Sequence, residues 1–339
     1  MVQPGRMQAR PVMAVVAALA YGMMGEILFQ EANDVLLGTL SISFLFLVPV
    51  GIGAVTVALL PSYLRTSWPY AIFAPWAVSA LLGIVVWFLA REAWICVVMG
   101  LPIFFVMGSV GGALMRWWFE RREARGRNNQ DDPTLLGVIL LTPFLFAPIE
   151  AQVQRATVVR EVESVVAVSA PAATVWEEFV AVPAIQEDEA GFAWFKLAGL
   201  PEPVEAMLSA PESTGVRHAS YDNGIRVIEP VRVWEPYTRY RFDVLLDPES
   251  AQAMPLWGAV SGDHLKVEWV EYRLEPVQGG EMRLYLTTRY ALTTPLNPYA
   301  VRWVDFLLSD FQRYILQVVK GRAEQAIEQT IEQTIEQTM

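Results

Sequence analysis

Few side chains in this chain could do chemistry, and most of those are rings. Two histidines, His218 and His264, and one cysteine, Cys96, stand among 339 residues. No zinc-type spacing surrounds either histidine, and a single cysteine makes neither an intramolecular disulfide nor a thiolate metal site, so no metal and no cofactor is expected. The chain contains no Gly-x-Ser-x-Gly, no phosphate-cradling glycine loop and no Rossmann fingerprint, which leaves hydrolase, kinase and dehydrogenase readings without an anchor. His264 stands just before a strand-like run, where an imidazole titrating near neutrality could act as acid or base. The ordinary alternative is a histidine at a strand edge. His218 invites the same two readings. What remains is a set of aromatic residues, Trp194, Phe195, Trp234, Tyr240, Trp269, Tyr285 and Tyr290, which with His264 are the candidates to line a pocket. Aromatic walls suit an apolar ligand and a phenol or indole adds one directed hydrogen bond, although the same residues could simply pack a core. No catalytic residue can be assigned.

The elements that must hold these residues lie in the second half. Val158 to Ser169 is valine-rich and reads as a strand. Pro171 then opens a helix, with Ser169 or Ala170 placed to cap it and Val175, Trp176, Phe179 and Val180 as its apolar face. A second short helix is expected around Ala184 to Glu189, followed by a loop-rich stretch that contains Gly191 to Gly199 and several prolines and runs up to Val216. Strand patterns dominate from Val216 to Leu292. Ile225, Val227, Val231 and Val233 alternate with polar residues, and Tyr240, Phe242, Val244 and Leu246 do so against Arg239, Arg241 and Asp243, with a turn at Pro236 and Tyr237. Leu265 to Glu275 and Met282 to Tyr290 form a hairpin around Gln278, Gly279 and Gly280, placing Met282, Leu284, Leu286 and Tyr290 on one face and Arg283, Tyr285, Thr287 and Arg289 on the other. Asn297 and Pro298 open a long last helix with Val301, Val304, Leu308, Phe311, Ile315 and Val318 at helical spacing. The threefold Ile-Glu-Gln-Thr repeat beyond it places Ile327, Ile331 and Ile335 on a sparse stripe, read as a frayed helical extension able to self-associate.

The first half is of another kind. With 54% hydrophobic residues and a mean hydropathy of +0.33, the chain is too apolar to be wholly water-soluble. Five apolar stretches, Pro11 to Gln30, Val35 to Leu60, Trp68 to Ala90, Trp94 to Trp118 and Leu135 to Ile149, approach the roughly 20 residues that cross hydrocarbon. The last is short and holds Pro143 and Pro148, so it reads as a tilted span, a re-entrant segment or an interfacial helix. Arg6 and Arg10 precede the first stretch, Arg65 follows the second, and Arg116, Arg121, Arg122, Arg125 and Arg127 follow the fourth. The intervening loops hold Glu31 and Asp34, or Arg91 beside Glu92. By the positive-inside rule the N-terminus is cytoplasmic and a fifth crossing carries the C-terminal domain outside, as in a bacterial inner-membrane protein. Trp68, Trp94, Trp117 and Trp118 read as interfacial belt residues, and Gly108 and Gly112 as a close helix contact. Glu26 is read as reaching the headgroup region beside Glu31 and Asp34, with a functional intramembrane carboxylate as the alternative. No second intramembrane charge offers a proton relay. Ala18 to Ala20 has the look of a signal cleavage site, but the apolar run continues past it and a retained anchor is expected.

Charge divides the same way. Up to Glu150 there are nine Lys/Arg and nine Asp/Glu, so the net charge of −11 belongs wholly to the later residues. So acidic a domain is repelled by phosphate, and nucleic acid is not expected as a partner. The boundaries expected are 1–150 for the transmembrane helices, 151–325 for one soluble domain and 326–339 for the repeat tail.

The valine-rich strand, the Ser-Ala-Pro-Ala-Ala-Thr-Val-Trp segment at Ser169 to Trp176, the antiparallel strands and the long last helix make an order that resembles the START-like (SRPBCC) superfamily, which includes polyketide cyclases. Val-Trp-Glu-Pro at Val233 to Pro236 and the Tyr-Arg-Leu-Glu-Pro…Gly-Gly segment from Tyr272 to Gly280 are similar to it too. The resemblance covers Thr157 to Arg322 and implies an α+β helix-grip fold, a curved antiparallel sheet gripping the C-terminal helix around a cavity for an apolar molecule. It implies no particular catalytic residue. Three functions follow as expectations: a membrane-tethered domain that binds or presents a hydrophobic small molecule or lipid, a cyclase- or dehydratase-type enzyme, or an assembly subunit that docks a membrane-protein partner or a second copy.

Overall fold

Helical spacing of apolar residues before Glu150 and strand spacing after Thr157 predict two separately packed bodies. A computed structural model of the protein describes residues 4–32, 41–90, 94–124, 134–150, 152–153, 155–186, 189, 191–209, 215–222, 224–253, 264–277 and 280–338. Asp34, Arg91, Glu92, Arg125, Arg127, Asn128 to Pro133, Gln278, Gly279 and Met339, and the side chains of Arg6, Arg10, Glu31, Trp94 and Cys96, lie outside what is described. The chain divides into Met1–Arg155 with Thr294–Leu296, and Ala156–Thr293 with Asn297–Met339.

The first unit is helical: α1 (Pro4–Ala32), α2 (Ser43–Leu59, π-helical over Ser43–Leu47), α3 (Ser62–Arg65), α4 (Trp68–Ala90), α5 (Trp94–Ala124) and α6 (Thr134–Glu150). Three of them carry segments long and apolar enough to cross a membrane, Pro11–Leu28, Trp68–Phe88 and Val97–Ala124. The stretch expected to span from Val35 to Leu60 is helical only from Ile42 to Leu59 in the described residues, because Leu60 turns extended (ψ 154°) ahead of Pro61. Helices α2 and α6 have 17 residues each, about 25 Å of rise against a hydrocarbon core of about 30 Å.

The helices alternate in direction. At one end Arg116 donates through Nε to Thr66 O (2.7 Å) and stacks over Trp68 (4.0 Å), with Arg65 over Phe119 (4.9 Å). At the other, the Glu150 carboxylate accepts from the backbone N–H of Ile42 (2.6 Å) and Ser43 (2.9 Å), which satisfies donors that the start of α2 leaves open. Glycines bring backbones together between these ends. A Cβ on Gly112 would stand 2.0 Å from Ala71 O, one on Gly111 2.0 Å from Val50 O, and one on Gly53 1.9 Å from Gly108 O. Gly108 and Gly112 therefore do sit at helix crossings, and Gly53 and Gly111 join them.

Glu26 departs from its expected place. Its side chain is 7% exposed and lines a cleft among α1, α2, α4 and α5 instead of reaching outward, because the helical phase that buries Ala18 and Tyr21 turns Glu26 inward as well.

The second unit opens with β1 (Val158–Val168), α7 (Ala172–Val180), α8 (Trp194–Leu197), β2 (Pro203–Leu208), β3 (Val216–Tyr221), β4 (Arg226–Glu235), β5 (Arg239–Asp243), β6 (Leu245–Leu246) and α9 (Pro248–Ala253). The hairpin of β7 (Leu265–Pro276) and β8 (Met282–Leu292) and the long α10 (Asn297–Thr338) complete it. Seven strands form one antiparallel sheet in the order β1-β8-β7-β5-β4-β3-β2, with β6 added to β4. The sheet curls, and α10 packs against β1, β8, α7 and α8. This is the helix-grip arrangement, with the core between the concave face and α7 and α10.

Local expectations fail where tertiary pairing overrides propensity. No helix forms at residues 184–186, whose backbone serves the sheet instead: Val182 and Ala206 exchange N–H···O bonds and Ile185 N donates to Val204 O. Arg322 holds this segment to α10 by donating to Pro183 O, Ala184 O and the Glu189 carboxylate. Its partner β2, in a stretch read as loop, is a true strand. Neither Ser169 nor Ala170 caps α7; Pro171 occupies that position, and Ser169 N donates to Glu324. A bulge between Val231 and Val233 shifts the alternation of β4, so Trp234 pairs with Tyr240 on the inner face and Val233 opposes Arg241. The repeat tail continues α10 unbroken to Thr338, with Ile331 and Ile335 half exposed.

Candidate functional site

Period-two alternation sends every second residue of the curled sheet to its concave face. On β8 these are Met282, Leu284, Leu286, Thr288 and Tyr290, all buried. On β7 they include Tyr272 and Leu274, on β5 Tyr240 and Phe242, on β4 Val227, Glu229 and Val231, and on β3 Arg217 and Ala219. Helix α7 lays Trp176 and Phe179 over the centre. Phe179 stacks on Tyr272 at 4.7 Å, and Trp176 meets Trp234 (5.3 Å) and Tyr240 (6.1 Å) edge to face. The result is an aromatic wall with the Tyr240 ring fully buried inside it.

Toward β3 the interior becomes polar. Arg217 and Glu229 face each other across the β3–β4 ladder, and an Arg217 N–H donates to Glu229 Oε2 at 2.7 Å with both side chains less than a tenth exposed. The guanidinium lies 5.2 Å from the Phe242 ring centroid, beside the phenols of Tyr240 and Tyr272. Burial is the strongest influence on every ionisable group here. It pushes the Tyr272 phenol up to about 12 against the opposing charge of Arg217, and raises the phenols of Tyr221 and Tyr240 further. It also lifts the Glu229 carboxyl above its ordinary value, with Arg217 pulling the other way. Burial alone would lower the Arg217 pKa, but Glu229 and the flanking phenols outweigh it and the guanidinium stays charged. Two donors in this cluster lack a hydrogen-bond partner among the described residues, Arg217 Nε and the Tyr240 hydroxyl. Buried donors are almost always paired, so two together on one concave face single out this place.

The rings expected to line a pocket divide between the two faces. Tyr240 and Trp234 belong to the aromatic wall. Phe195 is fully buried against Phe311 and Tyr314 of α10, with its N–H donating to Asp310. Tyr290 is buried at the far end of the sheet, its hydroxyl donating to Asp305 (2.7 Å), which also holds Arg160. Trp194 is half exposed and meets Phe192 edge to face. Trp269 and Tyr285 lie on the convex face, under Arg241 (4.0 Å) and Arg273 (4.1 Å), because their strand parity opposes that of Tyr272 and Leu284. They do not join the others. His264 precedes β7 and its carbonyl accepts from Thr293 N, while His218 points to the solvent side of β3. Among the described residues no group of three His, Cys, Asp or Glu is placed to hold a metal ion.

Reasoning from the sequence missed Arg217, Glu229, Tyr221 and Tyr272. A signal existed: Glu229 falls at the same parity as Ile225, Val227 and Val231, so the alternation that predicts an apolar face also places a carboxylate on it.

No family model matches this chain, and no curated protein matches it. The C-terminal half is structurally similar to solved proteins. The Zhui aromatase/cyclase of a Streptomyces species is 16% identical, with 50% of this chain and 96% of that one covered at a TM-score of 0.34. Norcoclaurine synthase from Thalictrum flavum, in complex with dopamine and hydroxybenzaldehyde, is 12% identical, with 51% and 88% covered at 0.33. A protein from Thermus thermophilus is 17% identical, with 49% and 99% covered at 0.33.

Proposed function

We propose that this protein is a membrane-anchored helix-grip domain that binds a hydrophobic small molecule or lipid on its concave face. The observation that carries the reading is the pair of buried, unpartnered donors, Arg217 Nε and the Tyr240 hydroxyl, set in an aromatic wall. Such a site offers apolar area to a ligand body and two directed hydrogen bonds to its acceptor atoms. Because Glu229 already balances Arg217, the buried end of the ligand carries no net charge, as a carbonyl or phenolic hydroxyl does. Anchoring would keep the site at high effective concentration beside the bilayer.

The alternation of helix directions, with Arg65 and Arg116 at one end and Glu150 at the other, supports a cytoplasmic N-terminus and an extracytoplasmic C-terminal domain. A reporter fused after Gln154 should be active outside the cytoplasm, and a cytoplasmic signal would overturn that arrangement.

For the ligand, the full-length protein is purified in mild detergent, extracted with organic solvent and compared with Arg217→Met and Tyr240→Phe by mass spectrometry. An apolar, acceptor-bearing compound present in the wild type and depleted in both variants is the expected result. Identical extracts from all three would refute the reading. One observation favours an enzyme of the cyclase or dehydratase kind as the second reading: the Glu229 carboxyl has a raised pKa in a buried site, as a general acid needs. Turnover of the extracted compound, lost in Glu229→Gln while binding persists, would decide for it.

A further inference from the structure

The side of α10 turned away from the sheet carries a surface that ligand binding does not use. Arg302, Phe306, Arg313 and Gln317 recur there at helical spacing, and all four are exposed. Neither arginine has an ion-pair partner among the described residues. The acids nearest to them along the helix are already engaged, Asp305 by Arg160 and Tyr290, and Asp310 by the Phe195 N–H. Trp303 flanks the stripe and meets Tyr299 edge to face at 6.4 Å. On the same flank the Phe195 bond to Asp310, one turn beyond Phe306, fixes the segment that holds Phe192 and Trp194. Buried Ala193, Phe195 and Ala198 root that segment, while Phe192 and Trp194, their rings 5.1 Å apart, stay 73% and 50% exposed.

Large rings held rigidly in water are a cost that a lipid surface removes, since rings settle at the boundary of headgroups and acyl chains and guanidiniums bond phosphate oxygens. The net charge of −11 argues against anionic surfaces for the domain as a whole, yet this face is its exception, with two unpaired cations and no unpartnered carboxylate among its described residues. Chain continuity brings it within reach. Leu296, the residue before α10, packs in an apolar cluster of the first unit, and Phe306 stands only about 15 Å of helix further along. We propose that the Arg302–Phe306–Arg313 face of α10, with Phe192 and Trp194 at its side, lies on a phospholipid surface, its guanidiniums on phosphates and its rings among the acyl ester groups. It rests on membrane anchoring of the first unit and is independent of the concave face of the sheet.

The test uses the full chain in nanodiscs of phosphatidylcholine and phosphatidylglycerol, in a Cys96→Ala background. A nitrobenzoxadiazole probe is placed on Ser309→Cys, beside Phe306, or on Val165→Cys, a position 53% exposed on the convex face of β1. Doxyl-labelled lipid should quench the α10 probe and spare the β1 probe. Arg302→Gln with Arg313→Gln should lower the docked-to-free ratio roughly tenfold or more, 1 M salt should weaken docking in the same direction, and Phe306→Ser should add to the loss. These side chains are exposed, so near-UV circular dichroism should not change in the variants. Equal quenching of the two probes, or none of the α10 probe, would overturn the proposal. So would an α10 probe shielded from aqueous iodide but not quenched by doxyl lipid, which would put a protein on this face. A chain that stays out of the nanodiscs would overturn anchoring itself, a separate failure.

Discussion

The Arg217–Glu229 pair makes a quantitative prediction, because a buried ion pair and its two halves have very different energies. Both side chains are less than a tenth exposed and the pair is closed by one hydrogen bond at 2.7 Å. Replacing Glu229 by leucine leaves a guanidinium that cannot lose its proton, buried without a counter-charge, and should cost about 3–5 kcal/mol. Replacing Arg217 by methionine strands a carboxylate, but that group can take up a proton. Burial already holds the Glu229 carboxyl above its ordinary value, and removing Arg217 removes the main influence that lowers it. A carboxyl raised in the native state contributes stability that is fully present below its unfolded pKa and lost as pH rises through its native one. The deficit of Arg217→Met relative to wild type should therefore shrink on going from pH 7.5 toward pH 5, while that of Glu229→Leu stays large. The double variant Arg217→Met/Glu229→Leu replaces both charges with apolar groups of similar volume and should lie within about 1 kcal/mol of wild type or above it. Urea unfolding of the full-length protein in detergent, followed by near-UV circular dichroism of the Trp176–Trp234–Tyr240 cluster, reads all four corners of this cycle. A double variant whose loss equals the sum of the two single losses, or an Arg217→Met that is neutral at pH 7.5, would refute the reasoning.

Three further outcomes are expected. Arg322→Met removes the charged hydrogen bonds that tie Glu189 and the 183–184 carbonyls to α10 and should cost about 2 kcal/mol at neutral pH; because Arg322 holds the Glu189 carboxyl below its ordinary value of 4.5, that deficit should fade in urea titrations as pH drops through and below this value. Gln312→Leu deprives Ser164, Thr288 and the Val162 carbonyl of their shared buried partner and should cost about 1–3 kcal/mol by the same measurement. Gly112→Ala drives a Cβ against the Ala71 carbonyl and should lower the thermal midpoint of the detergent-solubilised protein, whereas Gly100→Ala, with open space at its Cβ, should leave it unchanged.

The hairpin of β7 and β8 was legible because eleven residues of β8 alternate strictly, and any register other than Leu274 opposite Leu284 would expose its apolar half. The long α10 was legible for the same kind of reason at helical period. Strand β2 was not, since Pro203, Glu205 and Ala206 carry little strand preference and owe their conformation to Val182 on one side and β3 on the other. The pocket residues were half legible. Rings suit both a concave wall and a convex face on which arginines stack, so Trp269 and Tyr285 matched the aromatic criterion while facing away from the core. Parity separates the two faces only when each strand is tied to its neighbour, and the bulge in β4 shows that one extra residue is enough to exchange Val233 for Trp234.

Glu150 ties together the two apolar helices of the first unit that are shorter than a membrane span. A helix start in hydrocarbon exposes backbone N–H groups that no water can satisfy, and α2 begins with Ile42 and Ser43 donating to the one carboxylate at the end of α6. The two short helices thus share an end, which holds Glu26 near Phe44 and Glu150 at Ser43, while Arg65, Arg116 and the Glu120 carboxylate paired with Arg116 lie at the other. A bilayer accommodates a helix shorter than its hydrocarbon core by thinning locally at a cost of fractions of a kcal/mol per Å, far below that of leaving buried helix-start amides unpaired.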